Sequence, residues 1–179
     1  MARHSVQGVM DVLVAGIADP GNAISLLGLL ASYTPSTFGG SGVISGAREV
    51  AQDATSALLR RSALAPIGEV VATYVPTSYD EAMTTMEMVT GFIDAELLVA
   101  GDDRSYNAMI ALRQSVVSAL TTTGATMPAL EAFSFRAPMP ALVMASRLYQ
   151  DAGRTDELIQ QADPIHPAFM PTHVKALVR

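Results

Sequence analysis

Apolar positions recur with a helical period along most of the chain, and the breaks in that period predict its elements. Val6, Val9, Met10, Leu13, Val14 and Ile17 fall on one side of a helix over Val6 to Ala18. Gly8 and Gly16 weaken it by about 1 kcal/mol each relative to Ala. Asp19 before Pro20 reads as an N-cap with proline in the first helical position, opening a second helix through Ile24, Leu27, Leu30 and Ala31. These two segments predict an apolar hairpin over 1–33. A Gly/Ser-rich linker follows over 34–46.

A helical body is expected over 47–128. Its first helix, Ala47 to Ala65, turns Val50, Ala54, Ala57, Leu58 and Leu64 inward and Arg48, Glu49, Gln52, Asp53, Arg60 and Arg61 to solvent, and Pro66 ends it. Ile67 to Val75 is short and β-branched, so helix and strand both remain open there. Ser78-Tyr-Asp-Glu81 has the form of a capping box. The helix it starts carries Tyr79, Met83, Met86, Val89, Phe92 or Ile93, and Leu97 as its stripe, and Gly101 ends it. Asp102-Asp103 cap a further helix presenting Tyr106, Met109, Ile110, Val116, Val117 and Leu120, which frays at Thr121 to Gly124. The last two helices predict an antiparallel pair with a tight joint.

In the last fifth the period changes. Phe133 and Phe135 alternate with Ser134 and Arg136, as in a strand with one buried face. Pro138 and Pro140 open a helix with Leu142, Val143, Ser146 and Tyr149 at helical steps, which Asp151-Ala-Gly153 stops through a left-handed glycine. Thr155 is placed to cap a second helix with Asp156 and Glu157 in its first turn and Leu158, Ile159 and Ala162 inward. Pro164, Pro167 and Pro171 then break the chain before Val174, Ala176 and Val178 alternate as a closing strand. The order is strand, helix, helix, strand.

Composition narrows the function. Half of the 179 residues are hydrophobic, with mean hydropathy +0.32, enough for a sizeable core and for apolar surface that partners cover. Ten Met beside ten Phe and Tyr make this apolar content soft, as on surfaces that repack against neighbours, and a plain helical core is the alternative. The absence of Cys excludes disulfides and thiolate chemistry. The longest apolar run, Ala23 to Ala31, falls short of the roughly 20 residues a membrane span needs, and Asp11 interrupts the stretch a secretory leader would keep apolar.

The net charge of −6 is uneven, with five Lys/Arg against four Asp/Glu from Arg136 onward and six against thirteen before it. Neither part is the basic stripe that neutralises phosphates. The three His, at 4, 166 and 173, lack metal-ligand spacing, and no cofactor is implied. Gly40-Ser-Gly42-Val-Ile-Ser-Gly46 lacks both the strand and the Lys of a phosphate loop and supplies no nucleophile elbow. Asp80/Glu81, Asp94/Glu96 and Asp102/Asp103 read as caps and solvated charge. A catalyst is not expected.

The joint Tyr149-x-Asp151-Ala-x-Arg154, with Pro164-x-His166-Pro-x-Phe169-x-Pro171 leading to the final strand, resembles the LysM module. With Pro138, Pro140, Ala141, Leu142, Val143, Ala145, Arg147, Leu148, Asp156, Glu157 and Ile165, the stretch is similar to the C-terminal end of the Mu-like phage DNA circularisation family, which are tail proteins. The likeness covers about the last fifty residues and weakens back to Tyr79. It differs where family members commonly carry Asn at Asp163 or Pro164 and Pro-Gly at Pro171-Thr172.

With the helical hairpin body that periodicity predicts, the resemblance implies an α+β, predominantly α fold, the body being followed by a LysM-like βααβ module over 129–179. It further implies a virion protein of the tail and baseplate, partnered by other tail subunits in an oligomeric assembly and present in the host cytoplasm during assembly or after injection. The family's role in DNA circularisation implies DNA as one partner. N-acetylglucosamine glycan is another, in a groove near Ala137, Met139, Asp163, Ile165 and His166, with Phe169 as a further contact. In the alternative, structural account, Ile165, Phe169 and Met170 plug the bottom of a small core.

Overall fold

The structure, a computed structural model, describes residues 6–36, 42–99 and 101–178. They form a predominantly helical chain with one two-stranded antiparallel sheet. Contacts divide it into two compact units, residues 1–76 with 81–125 and residues 77–80 with 126–179.

In the first unit α1 (Val6–Ala15) and α2 (Pro20–Ala31) both pack on α3 (Val43–Thr73). Helix α1 ends before Gly16, three residues short of the expected end, and Val9, expected inward, is exposed. The Asp19 cap is present, its carboxylate accepting the Asn22 N–H at 2.8 Å. Ala23, Ile24, Leu27 and Ala31 are buried, and Gly28 lets a neighbouring ring lie on the α2 backbone, since a Cβ there would come 2.8 Å from Phe92 Cε2.

Helix α3 corrects two expectations and closes an open one. It begins at Val43, inside the expected linker, because Ser45 Oγ accepts the Gly42 N–H at 2.8 Å and so completes the first turn. Residues 37–41, including part of the glycine motif, lie outside the described residues. Pro66 does not end the helix, which continues to Thr73, so the open 67–75 segment is helical over 67–73 and extended at Tyr74. A proline within a helix costs about 3 kcal/mol through its missing N–H and its crowding of the preceding turn. Ala63, Leu64, Ile67, Val70 and Val71 fall on one buried face around it, and burial worth about 1.5–3 kcal/mol per large side chain outweighs that cost.

The phase is also corrected. Val50, Ala54 and Leu58, expected inward, are exposed, while Ser56, Leu59 and Ala63 turn toward the core. Two apolar arcs ran along this helix, and the core of the unit took the one continuous with Ile67 and Val71.

Helices α4 (Tyr79–Leu97) and α5 (Asp103–Gly124) form the antiparallel pair. Arg113 Nε donates to Asp94 at 2.7 Å and Thr121 Oγ1 lies 3.9 Å from Met86 Sδ, so positions descend on one helix as they rise on the other. Val89, Ile93, Met109, Val116 and Leu120 are buried as the stripes predict, whereas Tyr79 and Tyr106 are exposed. Asp102 caps α5 by accepting the Ser105 N–H at 2.8 Å. Helix α4 stops at Leu97, before Gly101, and α5 runs through the expected frayed end to Gly124, because Leu120 and Gly124 are buried.

The second unit has the expected order. Strand β1 (Ala129–Ser134) pairs antiparallel with β2 (His173–Val178), Ala129 opposite Val178 and Ser134 opposite His173. Between them run α6 (Ala141–Tyr149), a 3-10 turn (Ala152–Arg154) and α7 (Thr155–Ala162). The buried face of α6 is Ala141, Met144 and Ala145, one step from the expected Leu142 and Val143, which are exposed. Gln150, not Gly153, takes the left-handed C-cap, with φ 56°. Asp151 caps the 3-10 turn through the Gly153 N–H at 2.7 Å, and Thr155 donates back to Ala152 O instead of capping α7. The core is Met144, Leu158, Met170, Val174 and Ala176, with Phe133, Phe135, Ile159 and Ala162 packed against it.

Candidate functional site

Two features of the second unit bring the singled-out residues together. The first is the joint between its helices. The Arg154 guanidinium lies 3.8 Å from the centroid of the Tyr149 ring and forks onto the Glu157 carboxylate. A cation on an aromatic face and a charge-assisted pair three residues apart fix the angle at which α7 leaves α6. Hydrogen bonding to Glu157 holds the Arg154 proton more firmly than usual. Burial first, then the Glu157 charge, push the Tyr149 phenol up.

The second is the loop from α7 to β2. Asp163 ends α7 in the left-handed region, φ 40°, its N–H donating to Ile159 O at 3.0 Å. The backbone is then tied at three places: Pro167 O accepts the Ala141 N–H at 2.8 Å, His166 O accepts the Phe169 N–H at 2.9 Å, and Met139 O accepts the Met170 N–H at 3.0 Å. His166 Nδ1 accepts the Ala168 N–H at 3.0 Å, which leaves the ring proton on Nε2. Its ring centroid is 6.1 Å from that of Phe169.

The loop carries its large apolar side chains outward. Ile165 is fully exposed and Phe169 is 73% exposed, so of the three residues expected to plug the core only Met170 does so. The proline-set turn and the Met139–Met170 bridge aim position 170 inward and leave 165 and 169 on the outer side. Asp163, His166 and Ala137 are also exposed, and Met139 is half-buried at the bridge. Asp163, Ile165, His166 and Phe169 thus lie on the α7–β2 loop, Met139 is joined to the end of that loop by its bridge to Met170, and Leu142 and Val143 are exposed on the first turn of α6.

The first unit holds groups that the sequence reading placed in solvent. Glu96, 3% exposed, accepts Arg60 Nε at 2.8 Å and Arg61 Nε at 2.7 Å. The three belong to distant turns of α3 and α4, and only their packing reveals the pairing. A polar cavity of 300 Å3 is lined by Asp19, Asn22, Ser25, Tyr74, Glu81 and Thr85, among others. In it Tyr74 donates to Glu81, and burial, followed by that hydrogen bond, pushes the phenol up to about 12.

The folded state thus keeps the Tyr74 proton above the ordinary phenol value of about 10. Its stabilising effect is complete below pH 10 and is lost as pH rises toward 12. In a 295 nm absorbance titration Tyr74 should ionise late, and Tyr74→Phe should remove amplitude from the late phase while leaving the early one unchanged. Loss of early amplitude instead would refute the assignment.

Among the described residues no group of three or more His, Asp or Glu side chains is arranged to hold a metal ion, and no helix is long and apolar enough to cross a membrane. No family model matches the chain, and no curated protein matches it.

Proposed function

We propose that this chain is a non-enzymatic structural protein of the tail and baseplate of a Mu-like phage or prophage, docking to other tail subunits through a LysM-like second unit. The carrying observation is the pair Ile165 and Phe169, exposed on a loop whose backbone is tied at three points. Large apolar side chains held out on a fixed backbone lose little entropy on association, and aromatic anchors of this kind dominate interface energies. The strand-helix-helix-strand order supports the resemblance, as do the roles of Tyr149, Asp151 and Arg154 at the joint. The family's DNA role finds no support in a net charge of −6.

The test is co-expression with the baseplate proteins of a Mu-like phage, comparing the parent chain with Ile165→Ser/Phe169→Ser. Both positions are exposed, so the variant should fold normally by circular dichroism and lose co-purification at least tenfold. Equal recovery of parent and variant, or a parent that stays monomeric beside all these neighbours, would dismiss the reading. A glycan reading is favoured by one observation, the exposed Phe169 ring beside His166, since an exposed ring can stack on a sugar face. Retention of the parent chain on purified peptidoglycan, lost in Phe169→Ala, would select it, and no retention would dismiss it.

A further inference from the structure

The first unit contains a cleft of 330 Å3 between α3 and α5, lined by Leu64, Ala65, Ala108, Met109 and Leu112, with Arg61 and Ser105 as its polar groups. Leu112 closes one end: it lies so near α3 that a Cβ at Gly68 would come 2.4 Å from its Cδ1. Arg61 and Ser105 each stand seven residues before that contact on their own helix, so the polar end lies about 10 Å from the closed end. The cleft is an apolar slot with a cation at its mouth.

That cation is held in place. Arg61 Nε is bound to the buried Glu96, which also takes Arg60, so one carboxylate faces two guanidiniums. The terminal nitrogens of Arg61 make no hydrogen bond among the described residues. A guanidinium anchored through Nε presents the rest of its fork without further loss of freedom, in the geometry that receives a carboxylate. Asp102 opposes this, being within Coulombic reach of Arg61 while its own carboxylate caps Ser105.

We propose that this cleft binds a medium-chain aliphatic carboxylate, the chain lying among Leu64, Ala65, Ala108, Met109 and Leu112 and the head group on Arg61. Size and polarity suit it, since small-molecule sites are apolar and orient the ligand with a few polar groups. The charge at the mouth selects a carboxylate over an alcohol or an amine.

The test is titration of the full chain with octanoate below its micelle concentration, read by calorimetry and amide NMR shifts. Saturable binding with shifts centred on Ala65, Ala108 and Leu112 is expected, at least tenfold tighter than 1-octanol and with none for octyltrimethylammonium. Ala108→Trp fills the slot from an exposed position and should weaken octanoate at least tenfold. Asp102→Asn keeps the cap and removes the competing charge, so it should tighten octanoate severalfold. Equal affinity for octanoate and octanol, unaltered binding in Ala108→Trp, or shifts scattered over the surface would each overturn the proposal.

Discussion

Glu96→Ala is expected to destabilise the first unit by about 3 kcal/mol, the low end of the range for removing one partner of a buried ion pair. The low end applies because Arg60 and Arg61 keep 21% and 33% of their side-chain surface in water and can partly turn outward. What remains is two guanidiniums on adjacent residues of α3 with no anion between them, and a cavity in place of the carboxylate. For a chain of this length the shift in Tm is about 6–12 °C. Glu96→Gln keeps the shape and one acceptor and should cost less. Glu96→Leu fills the volume without charge, so it should also fall below the Ala variant. Urea melts followed at 222 nm measure all three, and a Glu96→Ala curve within 0.5 kcal/mol of the parent would mean that the pair contributes nothing.

Leu158→Ala should open the second unit. Leu158 is fully buried among Ala141, Met144, Met170 and Val174, and Leu-to-Ala changes at such sites cost about 2–5 kcal/mol. A unit of about 60 residues has little stability to lose. Hydrogen exchange is the discriminating measurement. Amides of β1 and β2 should lose protection by two or more orders of magnitude, while those of Val89, Ile93 and Val116 in α4 and α5 keep theirs. Leu158→Met preserves volume and should leave protection within tenfold of the parent. Unchanged exchange in β2 of the Ala variant would show that Leu158 does not hold the sheet to α7.

What was legible in the sequence follows the range of the interaction. Local chemistry was read correctly at several turns and missed at the α6–α7 joint, where Gln150 rather than Gly153 caps α6 and Thr155 does not cap α7. Asp19 and Asp102 cap their helices, Asp156 and Glu157 sit in the first turn of α7, and the alternation of Val174 and Ala176 makes a strand. The loop between α7 and β2 was marked in advance by its prolines and a change of period, and its end is bridged to Met139 through Met170. Its orientation was not found. Whether Ile165 and Phe169 point in or out depends on backbone ties from the loop to α6 and to Met139, which no local pattern encodes.

On α3 and α6 the period was determined by the sequence and the phase by the tertiary structure, whereas the stripes of α4 and α5 carried both. On α3 the residues allowed two apolar arcs and a break at Pro66. Packing chose the arc through Ala63 and Ile67 and carried the helix across the proline, because the surface buried on both sides exceeded the cost of one missing hydrogen bond. Arg60, Arg61 and Glu96 looked like solvated charge because their partners lie some 35 residues away, at 35 and 36 positions, on another helix. The sequence by itself determined the helical character, the Asp19 and Asp102 caps, the strand-helix-helix-strand order and the proline-marked break before β2, all signalled by patterns within a few residues. Only the fold decided which faces of α3 and α6 are buried, where the Arg60, Arg61 and Glu96 pairs form and which apolar side chains of the loop remain exposed, because burial is a property of the elements that meet.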